Sequence, residues 1–459
     1  MNKKMDVMES IISLCKRRGF VYQGSEIYGG LAGTWDYGPY GVELKNNIKD
    51  IWWKRFVKDR ADMFGVDAAI LMNQNVWKAS GHASSFADPL IECGKCKNRF
   101  RTDNIGAKIS KDQWQLPNQC PECGEEGDLW KLAKDNMRQF NMMFQTRVGA
   151  VEDETAISYL RPETAQGMFV NFKNILDSRH PELPFGMAQI GKAFRNEIAP
   201  RDFLFRAREF EQMEIEYFVR PGEWEKIFEH FRDEMKAFMD DIGLNMSKVF
   251  ELEVLDDERA HYSKRTVDFE FDFPFGRKEL CGLAYRTDFD LKQHSELSKV
   301  DLSYYDEDSP TGEKGRFIPH CVEPSFGLDR TILAVLTDAY AEDEMNGETR
   351  IYLKFSPNIA PVKIAVFPLL KNKPVLVEKA KEIFKTLKKE FNAVEFDDNG
   401  NIGKRYRRQD EIGTPYCVTI DFETIEKNSG VTVRNRDDGK QERISENELV
   451  NYLKGKILK

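Results

Sequence analysis

The chain has 459 residues and a formal net charge of −9, with 41% hydrophobic and 32% charged residues. These values predict about three domains and exclude a long disordered segment, and the negative charge argues against a protein that coats nucleic acid non-specifically. No apolar run approaches the roughly 18 residues of a membrane span, and the Ile11–Leu14 run is too short for a signal peptide, so we expect a cytoplasmic protein with no membrane partner.

The first predicted element is a long amphipathic helix over residues 41–60, which follows the glycine-rich stretch GGLAGTWDYGPYG. Leu44, Ile48, Ile51 and Phe56 recur there at near-helical spacing. Between about 85 and 150 the sequence becomes polar and cysteine-bearing with little periodicity. This texture is typical of an insertion in a larger domain.

From about 185 to 330 the pattern is mostly that of strands. Val267, Phe269, Phe271 and Phe273 alternate with acidic residues, which predicts an antiparallel sheet with one buried face.

The stretch SPNIAP, residues 356–361, marks a linker to a separate C-terminal unit. The unit is predicted to contain a strand at 363–370, a helix that Pro374 opens, and a closing helix at 446–457. Further strands are predicted at 394–396, 416–422 and 431–433. The pattern indicates a small α/β domain of about 100 residues.

Four of the eight cysteines form two Cys-x-x-Cys pairs, and the other four are scattered singly. The pairs are CGKC (Cys93 and Cys96) and CPEC (Cys120 and Cys123), separated by slightly more than the usual zinc-ribbon gap. A redox dithiol and a site that no longer holds metal are the alternatives. Because four thiolates leave no open coordination position, we expect a structural Zn²⁺ site.

The densest charge pattern is FRNEIAPRDFLFRAREFEQMEIEYF, residues 194–218, which reads as strand, loop and strand. Period two places Arg206, Arg208, Phe210, Gln212 and Glu214 on one face of the second strand. Guanidinium groups, an aromatic ring and carboxylates on one face suit a nucleotide, but the pattern alone is equally compatible with a solvated, salt-bridged sheet face.

Three of these segments resemble the signature motifs of class II aminoacyl-tRNA synthetases. FRNE with the following Arg206 and Phe210 is similar to the second motif, and EPSFGLDR, residues 323–330, to the third. Pro39 stands where the first, dimer-interface motif has its proline. RPETAQG at 161–167, FEQME at 210–214 and GKRYRRQDEIGTPYC at 403–417 are similar to the glycyl-tRNA synthetases in particular.

The resemblance implies an α+β fold in three parts. Residues 1–84 and 151–356 would form the class II antiparallel-sheet catalytic domain, residues 85–150 a zinc-binding insertion, and residues 361–459 an α/β anticodon-binding domain. It also implies a homodimer that uses ATP and Mg²⁺ to attach glycine to tRNA(Gly) through glycyl-adenylate.

Site residues are carried over from the same resemblance. Arg195, Arg330 and Glu279 would be catalytic, with Arg195 on the α-phosphate, Arg206 and Arg330 on the γ-phosphate, and Glu279 on ATP and its magnesium. Glu197 would bind the adenine amino group and Phe210 would stack on the adenine. The full ATP-binding set is Arg195, Asn196, Glu197, Phe205, Arg206, Ala207, Arg208, Glu209, Phe210, Glu279, Leu280, Gly327, Leu328, Asp329 and Arg330.

Glycine has no side chain for a protein to bind. Its selection therefore requires exclusion of larger side chains and binding of the ammonium group. The resemblance places Glu163, Glu214, Glu323 and Ser325 around that group, with Arg286 and Arg101 on the substrate side. The full substrate-binding set is Arg101, Glu163, Phe210, Glu211, Gln212, Met213, Glu214, Arg286, Glu323, Pro324, Ser325, Phe326 and Gly327.

The basic cluster Lys404, Arg405, Arg407 and Arg408 beside Tyr406 matches the family stretch in the anticodon-binding domain, although such runs are usually solvated faces. Two rival functions stay open: a synthetase for threonine, serine or proline, and a catalytically inactive, synthetase-like nucleic-acid-binding subunit.

Overall fold

The computed structural model describes residues 6–101, 108–110, 113–115, 117–127, 130, 138–150, 156–306, 315–345 and 347–457. The predicted insertion at 85–150 therefore lies partly outside the described residues, and the outermost residues of the predicted terminal parts lie outside them as well.

A seven-stranded sheet organises the larger part of the chain. Its strands in chain order are β1 Met63–Gly65, β2 Phe185–Phe194, β3 Glu209–Val219, β4 Val249–Glu253, β5 Arg265–Phe273, β6 Gly276–Thr287 and β7 His320–Gly327. The spatial order is β4-β5-β6-β7-β3-β2-β1, and every neighbouring pair is antiparallel except β1 with β2. The predicted antiparallel sheet is confirmed.

Helices cover one face of this sheet. They are α1 Val7–Arg18, α2 Pro39–Trp53, α3 Trp224–Asp241 and α4 Leu328–Ala339. Val267, Phe269, Phe271 and Phe273 are all buried in the core between sheet and helices, as their alternation predicts. Along β3, Met213 and Ile215 enter the same core, so Gln212, Glu214 and Glu216 point to the opposite face.

The predicted helix at 41–60 begins two residues earlier and changes its winding near its end. Proline lacks a backbone N–H and fits the first helical turn, so Pro39 begins α2. Leu44, Ile48 and Trp52 form the buried stripe, and the chain continues as a π-helical segment, Lys54–Lys58. The helix α3 lies within the stretch predicted to be mostly strand, so that prediction missed it.

A second sheet forms the C-terminal unit. Its strands are β8 Ile364–Pro368, β9 Val394–Phe396, β10 Tyr416–Ile420, β11 Val431–Asn435 and β12 Gln441–Ile444, in the order β9-β8-β10-β11-β12. The helices α5 Pro374–Glu390 and α7 Glu446–Ile457 pack on one face, and α6 Ile402–Ile412 packs on the other. The predicted α/β architecture is confirmed, but the sequence interpretation missed α6 and β12.

The remaining elements are short. The helices are Glu26–Tyr28, Gln74–Ala79, His82–Ser85, Ala165–Phe169, Phe172–Arg179, Phe203–Phe205, Met246–Lys248, Phe289–Ser298 and Phe422–Glu426. The strands are Val21–Gln23, Trp35–Tyr37, Ala87–Glu92, Arg99–Arg101, Lys108–Ser110, Gln113–Gln115, Arg138–Asn141, Gln145–Arg147, Ile157–Tyr159, Tyr304–Asp306, Gly315–Phe317, Tyr340–Met345 and Glu348–Leu353. Among the described helices, none combines the length and the apolar composition needed to cross a bilayer.

Side chains near the chain's beginning contact the C-terminal unit. Arg17 and Arg18 on α1 both pair with Glu411 on α6. The Tyr40 hydroxyl donates to Glu395, with 2.7 Å between the oxygens. These contacts fix the C-terminal sheet against the helical face of the main sheet.

Candidate active site

The charged face of the main sheet carries a cavity of about 320 Å³. Strands β3, β5, β6 and β7 supply its floor, and the loop between β2 and β3 supplies one wall. The predicted site residues that line it are Glu163, Arg195, Glu197, Phe205, Arg206, Ala207, Phe210, Gln212, Glu214, Glu279, Leu280, Glu323, Ser325, Gly327, Asp329 and Arg330. The cavity thus unites side chains that are up to 167 positions apart, counting from Glu163 to Arg330.

One end of the cavity is rich in guanidinium groups. The Arg330 guanidinium lies 3.0 Å from a carboxylate oxygen of Glu279 and 4.5 Å from the centre of the Phe205 ring. The Arg195 guanidinium lies 5.3 Å from the Phe210 ring centre, and its Nε donates to the Pro162 carbonyl. The charge of Arg330 lowers the pKa of Glu279, so this carboxylate is ionised at neutral pH.

Two buried polar atoms at this end lack a hydrogen-bond partner within the described part of the chain. They are Oε2 of Glu197 and Nη1 of Arg206. Burial lowers the pKa of Arg206, and repulsion from Arg101, Arg201 and Arg330 lowers it further. An unsatisfied buried donor and acceptor are costly, so a polar ligand that pairs with both would stabilise the site.

Four predicted ATP contacts do not line the cavity: Asn196, Arg208, Glu209 and Leu328. The prediction that Arg206 and Arg208 share a strand face is wrong, because β3 begins only at Glu209. Arg208 turns away and donates to the carbonyl oxygens of Ala32 and Glu197.

Other predicted residues lie behind the cavity rather than in it. Met213, Phe326 and Leu328 belong to the hydrophobic core, and Pro324 is also buried away from the cavity lining. Glu211 pairs with Lys45 and Lys49 on α2, so it faces the helical side of the sheet. Because side chains alternate between the two faces of a strand, Glu211 and Met213 point away from Gln212 and Glu214 on β3.

Asp329 lines the cavity, but its carboxylate is already committed. It accepts hydrogen bonds from the Tyr37 hydroxyl at 2.5 Å and from the Glu211 backbone N–H at 2.6 Å. We therefore interpret Asp329 as a residue that fixes the start of α4 against β3.

The opposite end of the cavity is a cluster of buried carboxylates. Glu214 accepts hydrogen bonds from the hydroxyls of Ser325, at 2.7 Å, and Thr164, at 2.5 Å. Glu323 accepts from Nη1 of Arg286, with distances of 3.0 and 3.1 Å to its two oxygens. Glu163 completes the set and lies 3.3 Å from Nε2 of His82.

A second layer of side chains holds these carboxylates. Arg286 is 1% exposed, and its guanidinium also pairs with both oxygens of Asp290 at 2.8 Å. Gln166 donates to Glu163 and to Asp290 at 2.9 Å and accepts from His294. Arg286 does not line the cavity. Its guanidinium contacts the Glu323 carboxylate, and it is Glu323 that lines the cavity.

The charge state of this end follows from its burial. Burial opposes ionisation of Glu163, but His82 and Arg286 hold the pKa of its carboxyl well below the usual range. Burial raises the pKa of Glu323, as does repulsion from Glu214 and Glu163, whereas Arg286 opposes that rise. The cluster is therefore anionic, and a small cation in the cavity would relieve the repulsion.

Sequence reasoning missed Thr164, Gln166, His82 and Asp290. Thr164 and Gln166 lie inside the RPETAQG stretch that was singled out, and Asp290 stands four residues after Arg286, at the start of the helix Phe289–Ser298 that follows β6. These spacings were a usable signal. His82 carried none, because a single histidine in a polar segment has no distinguishing pattern.

Arg101 lies at the edge of the guanidinium-rich end. Its Nη1 is 2.6 Å from Asp88 and 3.9 Å from Glu197. This position is at the guanidinium-rich end of the cavity and away from the carboxylate cluster. It does not match the substrate-side position expected from the resemblance.

The four paired cysteines converge in the insertion. Their four sulfur atoms all lie within 4.8 Å of one another. The Cys93–Cys123 and Cys96–Cys120 sulfur distances are both 3.8 Å. That spacing is far longer than a disulfide bond and equals the edge of a tetrahedron with Zn–S bonds of about 2.3 Å. The donor set therefore fits Zn²⁺.

The two cysteine turns repeat the same backbone geometry. Lys97 and Gly124 each stand four residues after the first cysteine of their pair, have positive φ of 61° and 67°, and donate to the carbonyl of that cysteine. Backbone N–H groups of Cys96 and Lys95 outweigh burial and lower the pKa of the Cys93 thiol to about 7. The repeated turn geometry directs the sulfur atoms of both pairs toward one point.

In the C-terminal unit the basic cluster divides into structural and exposed residues. Arg405 is 1% exposed, and its guanidinium donates to the carbonyls of Pro368, Asp398 and Gly400. Arg408 pairs with Asp397, and Arg407 pairs with Glu348. Arg405 thus holds the end of β8 and the turn before α6, and it is not placed for contact with a nucleic acid.

Comparisons with known proteins converge on one family. The family model for the "tRNA synthetase class II core domain (G, H, P, S and T)" matches residues 148–339, and the "Anticodon binding domain" model matches residues 363–456. The curated relatives carry the name "Glycine--tRNA ligase".

Three such relatives cover nearly the full chain. The protein of Caldanaerobacter subterraneus subsp. tengcongensis is 50% identical over 98% of this chain and 98% of its own length. That of Clostridium acetobutylicum is 50% identical over 99% and 100%, respectively. That of Thermobifida fusca is 48% identical over 99% and 98%.

Proposed function

The chain belongs to the glycine–tRNA ligase family of class II aminoacyl-tRNA synthetases, and we propose that it attaches glycine to tRNA(Gly) through a glycyl-adenylate intermediate. The observation that carries this proposal is a single cavity with guanidinium groups at one end and buried carboxylates at the other. Such a cavity matches two substrates, one with a polyphosphate for the guanidinium groups and one with an ammonium group for the carboxylates.

ATP occupies the guanidinium-rich end in this proposal. Arg206 and Arg330 pair with the γ-phosphate and Arg195 with the α-phosphate, while the adenine stacks on Phe210. Oε2 of Glu197, which has no hydrogen-bond partner among the described residues, accepts from the adenine amino group. Phosphate oxygens also satisfy Nη1 of Arg206 and relieve the repulsion among the arginines.

Glycine occupies the other end, with its ammonium group facing Glu163, Glu214 and Glu323. Ser325, Thr164 and Arg286 hold these carboxylates at fixed positions. Their carboxylate atoms fill the space into which a larger side chain would project. The same groups therefore attract glycine and exclude larger amino acids.

The first step is an in-line displacement. A carboxylate oxygen of glycine bonds to the α-phosphorus, the bond to the bridging oxygen breaks, and pyrophosphate leaves with that electron pair. In the second step a ribose hydroxyl of the terminal adenosine of tRNA bonds to the glycyl carbonyl carbon and releases its proton to solvent, while the bond from that carbon to the phosphate oxygen breaks and AMP leaves with the electron pair. No protein nucleophile is required, so the arginines act by positioning and by charge stabilisation.

Two metal ions enter the proposal through residues that fit them. Glu279 is ionised and lies beside Arg330, so it would hold Mg²⁺, which neutralises phosphate charge when bound. Cys93, Cys96, Cys120 and Cys123 would hold a structural Zn²⁺ with no open coordination position.

The remaining parts of the proposal concern macromolecular partners. We assign residues 361–459 to recognition of the tRNA anticodon, and residues 1–84 with 151–356 to the catalytic domain. The insertion spans 85–150. The resemblance of the segment around Pro39 to the dimer-interface motif supports a homodimer.

Pyrophosphate exchange tests the proposal directly. The wild-type protein is assayed with ATP, labelled pyrophosphate and one amino acid at a time: glycine, alanine, serine, threonine or proline. Exchange that depends on glycine alone supports the assignment. Exchange with another amino acid would reassign the substrate, and no exchange from folded protein would favour a role in nucleic-acid binding only.

A further inference from the structure

Glu216 lies beside the carboxylate cluster but outside the cavity lining. It follows Glu214 by two residues on β3, so both side chains point to the same face of the sheet. In the register between β3 and β7, Glu214 lies opposite Ser325 and Tyr217 lies opposite Val322. Glu216 therefore lies opposite Glu323. Carboxylate oxygens of Glu214, Glu216 and Glu323 lie within 4.8 Å of one another.

The Glu216 carboxyl is fully buried and only half satisfied. Its side chain is 0% exposed, and Oε2 accepts a hydrogen bond from the Cys321 thiol at 2.9 Å. Oε1 has no hydrogen-bond partner within the described residues. A buried carboxylate with an unsatisfied oxygen is strongly disfavoured, whereas a protonated oxygen could donate to an adjacent acceptor.

The groups that face Glu216 determine where a proton resides. They are Glu214 on β3, Cys321 and Glu323 on β7, and Arg286 on β6, with Glu163, Gln166, Asp290, His82 and His294 in the layer beyond. Arg286 already pairs with Asp290 and with Glu323. No hydrogen bond joins it to Glu216 in the described structure, so Glu216 faces mainly other acids.

Two buried carboxyls opposite each other on neighbouring strands do not both ionise readily. Burial raises the pKa of each, repulsion from Glu323 and Glu214 raises that of Glu216 further, and repulsion from Glu214 and Glu163 raises that of Glu323. The direct hydrogen bonds from Arg286 stabilise the ionised form of Glu323. Glu216 lacks such a donor, so of the two carboxyls it is the better site for a shared proton.

We propose that Glu216 is a positioning residue of the glycine pocket, which keeps its proton on Oε1 and directs it toward the Glu323 carboxylate. This inference rests on the proposed function of that pocket. The neutral Glu216 supports Glu323 from behind without adding a negative charge. The charge presented to the ammonium group then comes from Glu163, Glu214 and Glu323.

Replacement of Glu216 by glutamine tests whether its side chain acts as a neutral acid or as a carboxylate. Glu216→Gln retains a neutral donor of similar size, so the KM for glycine in pyrophosphate exchange should stay within about threefold of the wild-type value. Glu216→Ala removes the support for Glu323 and should raise that KM about tenfold or more, with a smaller change in kcat. A Gln variant as impaired as the Ala variant would overturn the proposal.

The pH dependence of thermal stability gives a readout that needs no substrate. A glutamate that stays protonated in the fold but ionises when unfolded opposes folding above pH of about 4.3, and this opposition grows as pH rises toward the folded-state pKa. Glu216→Gln removes that penalty. Its Tm should exceed the wild-type Tm at pH 8 by about 1–3 °C, and the difference should shrink toward pH 4.5.

Glu211→Gln is the matched control on the same strand. Glu211 faces α2, and Lys45 and Lys49 outweigh burial and lower the pKa of its carboxyl, so the amide should lower the Tm at pH 8. A Tm decrease for Glu216→Gln at pH 8 would show that Glu216 is ionised and would refute the proposal. If wild-type protein lacks glycine-dependent pyrophosphate exchange, the proposed function fails instead. The Tm comparison still tests the protonation of Glu216, because it requires no substrate.

Discussion

The Arg330 guanidinium contacts both the carboxylate and the backbone carbonyl of Glu279, at 3.0 and 3.2 Å from Nη1. The contact joins the first turn of α4 to strand β6 at the guanidinium-rich end of the cavity. Arg330 is thus held by protein groups before any phosphate binds, as charge stabilisation by a preorganised group requires.

Replacement of Arg330 by alanine should lower the rate of glycyl-adenylate formation by roughly 10²- to 10³-fold, the effect of losing one charge-stabilising donor. Pyrophosphate exchange measures this rate, and circular dichroism checks that the fold is retained. Arg316→Ala is a suitable control, because Arg316 is 63% exposed and pairs with exposed Asp301. An exchange rate near wild type for Arg330→Ala would remove Arg330 from the catalytic set.

Replacing Cys93 and Cys96 with serine should abolish zinc binding and disorder the insertion, because a four-thiolate site contributes directly to folding. Metal analysis of reduced protein purified without chelators should find about one zinc per wild-type chain. The buried Cys15 lies outside the cluster, so Cys15→Ala should retain the metal. Wild-type protein without zinc, or a double variant that keeps it, would contradict the assignment.

Deleting residues 362–459 should leave glycine-dependent exchange largely in place and sharply lower tRNA charging. The reason is that every residue lining the cavity precedes the C-terminal unit, while tRNA recognition is assigned to that unit. The deletion also removes Glu411 and Glu395, which contact Arg17, Arg18 and Tyr40. Thermal melting should therefore accompany both assays, and a folded truncation that has lost exchange would refute the separation of roles.

Much of the fold could be predicted because its signals are local. The alternation from Val267 to Phe273 shows which face of β5 is buried, and Pro374 marks the start of α5. The short α6 was missed because its buried face is largely charged: Arg405, Asp410 and Glu411 are all buried. Arg405 reads as a surface residue until the carbonyls that it contacts are known.

The site residues that lie on one face of a single strand could be predicted from the sequence motifs. Period two separates Phe210, Gln212 and Glu214 from Glu211 and Met213. It fails at Arg208, because regular strand geometry begins one residue later. Contacts made across strands, such as that of Arg286 with Glu323, depend on register and do not appear in either segment alone.

The carboxylate cluster also determines the expected preference for glycine over alanine. A methyl group in an accommodating pocket is worth only about 1–3 kcal/mol and usually favours the larger ligand, so alanine must be rejected sterically. Glu323 and Glu214 are suited to this role, because Arg286 fixes the first and Ser325 and Thr164 fix the second. Fixed carboxylates cannot move aside for a methyl group.

Glu323→Ala and Glu214→Ala should each raise the KM for glycine strongly, since a lost charged contact costs about 1.5–3 kcal/mol, and at least one should narrow the glycine-to-alanine ratio of kcat/KM. Glu323→Gln separates the two effects, because the amide removes the charge but keeps the volume. It should raise the KM for glycine while alanine stays excluded. Wild-type glycine kinetics and discrimination in both alanine variants would show that these glutamates do not line the amino-acid pocket.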